Sequence, residues 1–335
     1  MSSITPAQHA KFCKRRFGTK NPERMDNPVW EWMVHRGHNP YVARIELGLQ
    51  TDFDGRPDWC FDRMGSAKIE MPDGRSIFIA GEHEDYYDPD FCIYNDVIVR
   101  NRDHVEIYGY PADIFPPTDF HTATLVGQQI ILIGRLGYQD ERGGMNTPVF
   151  FLDTSSYEIR SLVCSGDSPG WLYKHNAVLS EDGRIEVSGG AVQVGEGKKE
   201  QHRDNFDTYS LDIEKKRWHK LTDNSHWRQF LMSYEWSEQD DTDLGWYTGE
   251  ILKKLGYPVR PFQDSETEED DEETYPDRWH EIDVDGVQVA CMDGFEEIRV
   301  VVQGELPKRV LKDLLRDIKT LAQQSSIKIK AVTER

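Results

Sequence analysis

The sequence predicts a mainly β protein, and three observations carry that expectation. Between Asp62 and Leu221 one four-strand pattern is written three times. The copies keep a period near 54 residues: Gly81 to Gly134 is 53 positions, Gly134 to Gly189 is 55, and His121 to His175 is 54. Each copy is built of short runs rich in β-branched and aromatic residues, separated by turn residues, which is the composition of an antiparallel meander. Such a unit is apolar on both faces and must stack against a neighbour.

The third copy is the clearest, with His175-Asn-Ala-Val-Leu, Arg184-Ile-Glu-Val-Ser-Gly189-Gly190, Phe206-Asp-Thr-Tyr209-Ser-Leu-Asp212 and Arg217-Trp218-His-Lys-Leu221. The second aligns as His121-Thr-Ala-Thr-Leu, Gln129 to Gly134, Val149-Phe150-Phe-Leu-Asp153 and Ile159 to Val163. The first aligns as Gly65 to Ile69, Ser76 to Gly81, Asn95 to Val99 and Val105 to Tyr108. The pattern resembles the kelch repeat of β-propellers, in which a strand ending in Gly-Gly is followed by a strand with Tyr and then one with Trp. Gly189-Gly190, Tyr209 and Trp218 carry all three marks. In the other copies Ile98 and Phe150 stand at the Tyr209 position, and Ile107 or Tyr108 and Ile159 stand at the Trp218 position. The resemblance implies three four-stranded blades, a partial propeller. Because known propellers typically use at least four blades, open apolar blade faces are expected, and a homodimer completing a six-bladed ring would cover them.

The flanks do not repeat. Thr5-Pro6 to Gly18, Asn27-Pro28 to Gly37 and Asn39-Pro40 to Gly48 each pair an N-capping side chain and a first-turn proline with a closing glycine, which predicts three helices. The middle one is apolar nearly all round, so it should be buried on two sides, packed on the first blade or capping the open end. His35 and His38 read as helix-end residues. After Leu221, Trp227 to Leu231 and Leu244 to Leu255 suggest irregular and helical structure. Asp264 to Glu273 has eight acids in ten positions and reads as a solvated linker. His280 to Cys291 predicts a hairpin turning at Asp285-Gly286, Ile298 to Val302 a third strand, and Ile327 to Lys330 a last one. Between them Val310, Leu311, Leu314, Leu315, Ile318 and Leu321 fall on one helical stripe. The expected layout is a helical segment (1–61), a kelch-like half-propeller (62–222), an irregular or helical connector (223–263), an acidic linker (264–277) and a small α+β module (278–335).

Charge narrows the function. The chain has 335 residues and a net charge of −20, from 60 acidic against 40 basic residues, which argues against nonspecific binding to nucleic acid or an anionic membrane. Five cysteines, odd in number and far apart, read as free thiols in a reducing compartment. The first sixteen residues carry Lys11, Lys14, Arg15 and Arg16 without an apolar core, and no run approaches membrane-spanning length. The expectation is a cytoplasmic protein.

In a meander the connections after the second strand and those between blades emerge at the same end. That end collects the unusual residues. The densest stretch is Glu82, His83, Glu84, Asp85, Tyr86 and Asp88, where oxygen ligands could hold Ca²⁺ or Mg²⁺ or paired carboxylates could act as acid and base, although the spacing matches no recognised metal loop. Asp119, His121, Arg135, Trp171 and His175 join it as candidate binding residues. His121 and His175 recur at one repeat position, where in kelch-like repeats a structural role is common. No cofactor is called for. The resemblance keeps an enzyme reading open, since copper radical oxidases and sialic acid epimerases have kelch-like propellers, but no Cys and Tyr with a His pair matches the oxidase site. No nucleophile elbow, phosphate loop or zinc motif occurs either. The leading expectation is a cytoplasmic interaction scaffold that offers the loop face to a protein partner; the alternative is an enzyme or binding protein for a small polar, sugar-like ligand or a metal at the same face.

Overall fold

The computed structural model describes residues 4–51, 57–83, 91–102, 104–195, 201–235, 247–261, 279–294, 297–324 and 328–334. The chain is mainly β and divides into two compact units, Met1–Thr222 and Asp223–Arg335. Among the described residues no helix is long and apolar enough to cross a membrane.

In the first unit each sequence repeat folds into an antiparallel four-strand meander. The first comprises Ala67–Glu70, Ser76–Ile79, Val97–Asn101 and His104–Gly109; the second Thr122–Val126, Gln129–Ile133, Val149–Asp153 and Ile159–Ser161; the third Asn176–Leu179, Ile185–Ser188, Tyr209–Asp212 and Arg217–Lys220. The meanders stack. Ile77, Ile79, Val97 and Val99 of the first pack with Ile130, Leu132, Phe150 and Leu152 of the second. Ile131, Ile133 and Val149 of the second pack with Ile185, Val187, Tyr209, Leu211 and Trp218 of the third. The second meander is therefore buried on both faces, as alternating apolar residues on both sides of its strands demand.

Strand pairing refines the alignment of the copies. Phe78 pairs Ile98, Leu132 pairs Phe150 and Val187 pairs Tyr209, so Ile98 and Phe150 do hold the Tyr209 position. Trp218 pairs Leu211 and Ile159 pairs Leu152, but the first-meander residue in that row is Val105, opposite Arg100, rather than Ile107 or Tyr108. The turn joining Asn101 to His104 is shorter than its counterparts, and this moves the row two residues back. The same rows align Ala80, not Gly81, with Gly134 and Gly189. All three take left-handed φ, at 52°, 73° and 64°.

Backbone hydrogen bonds tie the repeats together at the loop end. The residues just before each first strand, Gly65, Phe120 and Lys174, all have positive φ (60°, 48° and 53°). Phe120 N–H donates to Gly65 O and Lys174 N–H donates to Phe120 O, both at 2.8 Å. Left-handed backbone at Phe120 and Lys174 is strained for side chains with a Cβ, by about 1 to 2 kcal/mol each, and this link from repeat to repeat holds it.

The N-terminal segment covers the outer face of the first meander. Helix α1 (Pro6–Phe12) carries the capping box of Thr5 and Gln8, while α2 (Pro28–Arg36) and α3 (Pro40–Glu46) are capped by Asn27 and Asn39. Val29, Trp30 and Met33 of α2 pack with Trp59, Ile98, Val105 and Ile107, which satisfies the nearly all-round apolar pattern of that helix. One boundary differs from expectation: α1 ends at Phe12 with Cys13 as its cap, not at Gly18. The chain leaves the helix because Lys14 bridges Asp58, and Gly18 is needed elsewhere, where a Cβ would meet the Gly109 carbonyl at 2.4 Å. The segment also closes sheet edges, with Glu23–Arg24 pairing His104–Gly109 and Asn21 bonding the Ile159 backbone through both its amide atoms at 2.7 and 3.0 Å.

The open face of the third meander differs from the premise of the dimer. Its central cross-strand row reads Val178, Glu186, Ser210 and His219, a polar row with one exposed valine.

The second unit is a six-stranded sheet with two helices. The order is Arg260–Pro261, Trp279–Val284, Val287–Gly294, Glu297–Val302, Arg228–Glu235 and Lys328–Glu334. Helices α4 (Tyr247–Lys254) and α5 (Lys308–Gln324) pack on it through Ile251, Leu252, Leu311, Leu314 and Ile318. The hairpin turns at Asp285 (φ 52°) and Gly286 (φ 82°) as expected. The stretch read as an irregular connector instead supplies a strand, Arg228–Glu235, paired on both sides. Its alternation of Gln229, Leu231 and Ser233 with Phe230, Met232 and Tyr234 reads as a strand only once long-range partners exist. The expected acidic linker lies outside the described residues.

Candidate functional site

The candidate site lies at the loop end of the first and second meanders. The loop leaving the second strand is rebuilt there around one substitution: Arg135 stands where Gly81 and Gly190 stand in the other repeats. The equivalence shows in the backbone, since Gly81 N–H donates to Thr118 O and Arg135 N–H to Leu172 O. At Gly190 a Cβ would meet the Tyr173 carbonyl at 2.4 Å. In the second repeat the site has room for a long side chain, and Arg135 fills it.

Arg135 is 5% exposed. Its Nη1 donates to Pro117 O at 2.5 Å and to Glu141 Oε2 at 2.9 Å, and its guanidinium lies 5.1 Å from the Trp171 ring centroid. Trp171 Nε1 in turn donates to Leu136 O at 3.0 Å. Burial pulls the Arg135 pKa below its usual value, although the bond and attraction to Glu141 oppose this.

Asp119 has no exposed surface. Its Oδ1 accepts Gly137 N–H at 2.6 Å, whereas Oδ2 is buried without a conventional donor. The carboxyl group of Glu82, itself 4% exposed, is a further partner of the Asp119 carboxyl. Burial raises the Asp119 pKa, and the Gly137 N–H, Glu82 and Arg135 only partly counter it. Tyr138 locks the same loop from the other side: its hydroxyl accepts Ile93 N–H at 2.8 Å and an Arg15 N–H at 3.3 Å.

His121 and His175 do not join this cluster. Both are buried at the entry to the first strands, and Nε2 of His175 meets Thr122 Oγ1 at 2.9 Å. Neither nitrogen of His121, nor Nδ1 of His175, has a hydrogen-bond partner. Burial pulls their pKa values down to about 4 and, with help from His121, about 3. Both stay neutral at physiological pH and serve as packed core side chains.

The structure therefore brings Glu82, Asp119, Arg135 and Trp171 together and separates the histidines. His83 lies on the short hairpin of Glu82–His83 with Cys92–Ile93. Glu84, Asp85, Tyr86 and Asp88 lie outside the described residues. Sequence reading passed over Glu141 and Tyr138; the signal that could have found them is the arginine at a repeat position otherwise held by glycine. Among the described residues one cluster could hold a metal, His9, Cys13 and Asp58, and it lies in the N-terminal segment rather than at this end.

No family model and no curated protein matches the chain. Among solved structures, one described as "Structure of YjhT" aligns with a TM-score of 0.33 and 12% identity over 50% of this chain and 54% of that one. The chain thus spans about half of that structure, and at this TM-score the likeness carries no argument about fold or function.

Proposed function

We propose that this protein is an interaction scaffold, in which the three stacked meanders act as a partial kelch-like propeller and the loop end is the contact surface for a protein partner. One observation supports the reading above others. The buried polar groups that converge at the loop end are spent mainly on one another and on backbone, while two large apolar side chains stay exposed there among polar ones such as Gln139 and Asp140. Arg135, Asp119 and Tyr138 are all committed to holding loops. Met145 is 89% exposed and Phe91 is 41% exposed, the latter edge-on to Tyr138 at 6.0 Å. Rigid loops with exposed apolar anchors suit a protein interface more than a small-ligand pocket. The sequence next to Phe91 is rich in acids, with Glu84, Asp85, Asp88 and Asp90, and the chain is acidic overall, so a partner with an apolar patch and basic residues fits best.

A reducing, cytoplasmic setting is part of the proposal. All five cysteines are free and four of them are buried. A dimer is not required, because the polar row of Val178, Glu186, Ser210 and His219 offers little apolar area for a second copy to cover.

The test is a comparative capture. Full-length wild type and the double variant Phe91→Ser, Met145→Asp are immobilised in parallel and the retained proteins are identified. The double variant should keep its melting temperature within the small range of surface changes, about 0.5 kcal/mol per site, and should lose specific proteins that wild type retains. Identical retention by the two would overturn the proposal.

A further inference from the structure

His9, Cys13 and Asp58 bring a ring nitrogen, a thiol sulfur and a carboxylate oxygen within 4.8 Å of one another, and all three residues are buried. The backbone enforces this meeting. His9 and Cys13 are one helical turn apart, with Cys13 N–H donating to His9 O at 2.9 Å. Asp58 is held opposite by the Lys14–Asp58 bridge and by Trp59 N–H donating to Cys13 O at 2.7 Å. His9 is 3% exposed, yet its Nε2 is buried with no hydrogen-bond partner. A buried ring nitrogen without a partner is an unmet polar demand, and it sits in a cluster whose other members are metal-ligand types.

We propose that His9, Cys13 and Asp58 form a zinc site with a fourth position open to water. The donor set selects the metal. A thiolate and an imidazole favour zinc over Mg²⁺ or Ca²⁺, which take oxygen ligands, and three protein ligands leave one place in a tetrahedral shell. Binding forms a Zn–S bond and breaks the Cys13 S–H bond, and the proton leaves to solvent; no oxidation occurs. Asp58 already has two cationic neighbours, and they divide the roles. Arg44 donates to Oδ2 through Nε at 2.9 Å and approaches it through Nη2 at 2.7 Å, so it stays as the group that orients the carboxylate. Lys14 Nζ lies 2.8 Å from Oδ1, and its side chain is 45% exposed, so the ammonium moves to water when zinc takes that oxygen. The metal then joins α1 to the segment leading into the first meander.

Full-length protein, stripped with chelator and dialysed, is titrated with Co²⁺ and separately with Zn²⁺. Co²⁺ should produce a saturable thiolate-to-cobalt absorption band, and Zn²⁺ should raise the melting temperature. Cys13→Ser and His9→Gln should lose the band, while Cys164→Ser and Cys291→Ser should keep it. Absence of the band from wild type, or its survival in Cys13→Ser, would overturn the site. Lys14→Met changes only a half-exposed side chain and guards against a folding artefact in the buried variants: it should bind zinc several-fold more tightly than wild type. Unchanged or weaker binding by that variant would count against the site.

Discussion

Two buried Arg–Asp regions in the first unit use the same residue types to opposite ends. Beside the first meander, Arg63 meets Asp96 with both guanidinium arms, at 2.5 and 3.1 Å, and Trp59 Nε1 adds a third bond to Asp96 at 2.7 Å. The guanidinium also stacks on Tyr94, with its centre 3.6 Å from the ring centroid. Burial works against the Arg63 charge, but Asp96 outweighs it and raises the pKa. At the loop end of the second meander, burial wins over the partners: Arg135 is pulled down and Asp119 is pushed up. Equal burial therefore does not mean equal strength. A matched bidentate pair is an anchor, whereas charges shared among carbonyls and a second acid form a brace that keeps loops in place at some loss of stability.

The comparison breaks most visibly at the anchor. Arg63→Ala should destabilise the first unit by roughly 3 to 5 kcal/mol, the usual loss when one partner of a buried pair is removed, measured by denaturant unfolding. A change near zero would erase the distinction between the two regions.

Acid separates the regions next. His121 and His175 flank the loop end with folded pKa values of about 4 and about 3 against 6.5. Their folded forms bind fewer protons than the unfolded chain below pH 6.5, so stability falls as pH drops through that window. The slope should be about 1.4 kcal/mol per pH unit for each histidine. His121→Asn should flatten the slope measured between pH 6.5 and 4.5 in wild type; an unchanged slope would mean that His121 is solvated.

The smallest expected effect lies in the brace itself. The raised pKa of Asp119 stabilises the fold below the ordinary carboxylate range, and this contribution is lost as pH rises through the folded value. Asp119→Asn keeps an acceptor for Gly137 N–H and removes the buried charge, so it should raise stability at neutral pH by about 1 kcal/mol. Urea unfolding of the variant checks this, and destabilisation would mean that the carboxylate is matched as well as Asp96 is.

Much of the fold was legible because periodicity is local. The repeat of Gly134 and Gly189, the paired capping and proline signals at Asn27 and Asn39, and the Asp285-Gly286 turn each specify backbone conformation within a few residues. The misreadings share one cause. Val105 rather than Ile107 takes the Trp218 row because the turn before it is short, and since both residues lie on the same buried face of the strand, alternation cannot tell a two-residue shift between them. Gly18 looked like a helix cap because the sequence cannot say that Gly109 approaches it. The candidate site was half legible: Asp119, Arg135 and Trp171 were found by their place in the repeat, but Glu141 and Tyr138 are ordinary surface types until Arg135 and Ile93 meet them.

By itself the sequence determined the three meanders, the capped helices of the N-terminal segment and the hairpin of the second unit, because strand alternation, capping and turn chemistry act over short separations. Only the tertiary structure decided that Arg228–Glu235 is a strand paired on both sides, that His121 and His175 are neutral core residues, and that His9 and Cys13 face Asp58. These depend on which distant segments exclude water from a side chain, and burial, unlike local conformation, is not written in a residue's own neighbours.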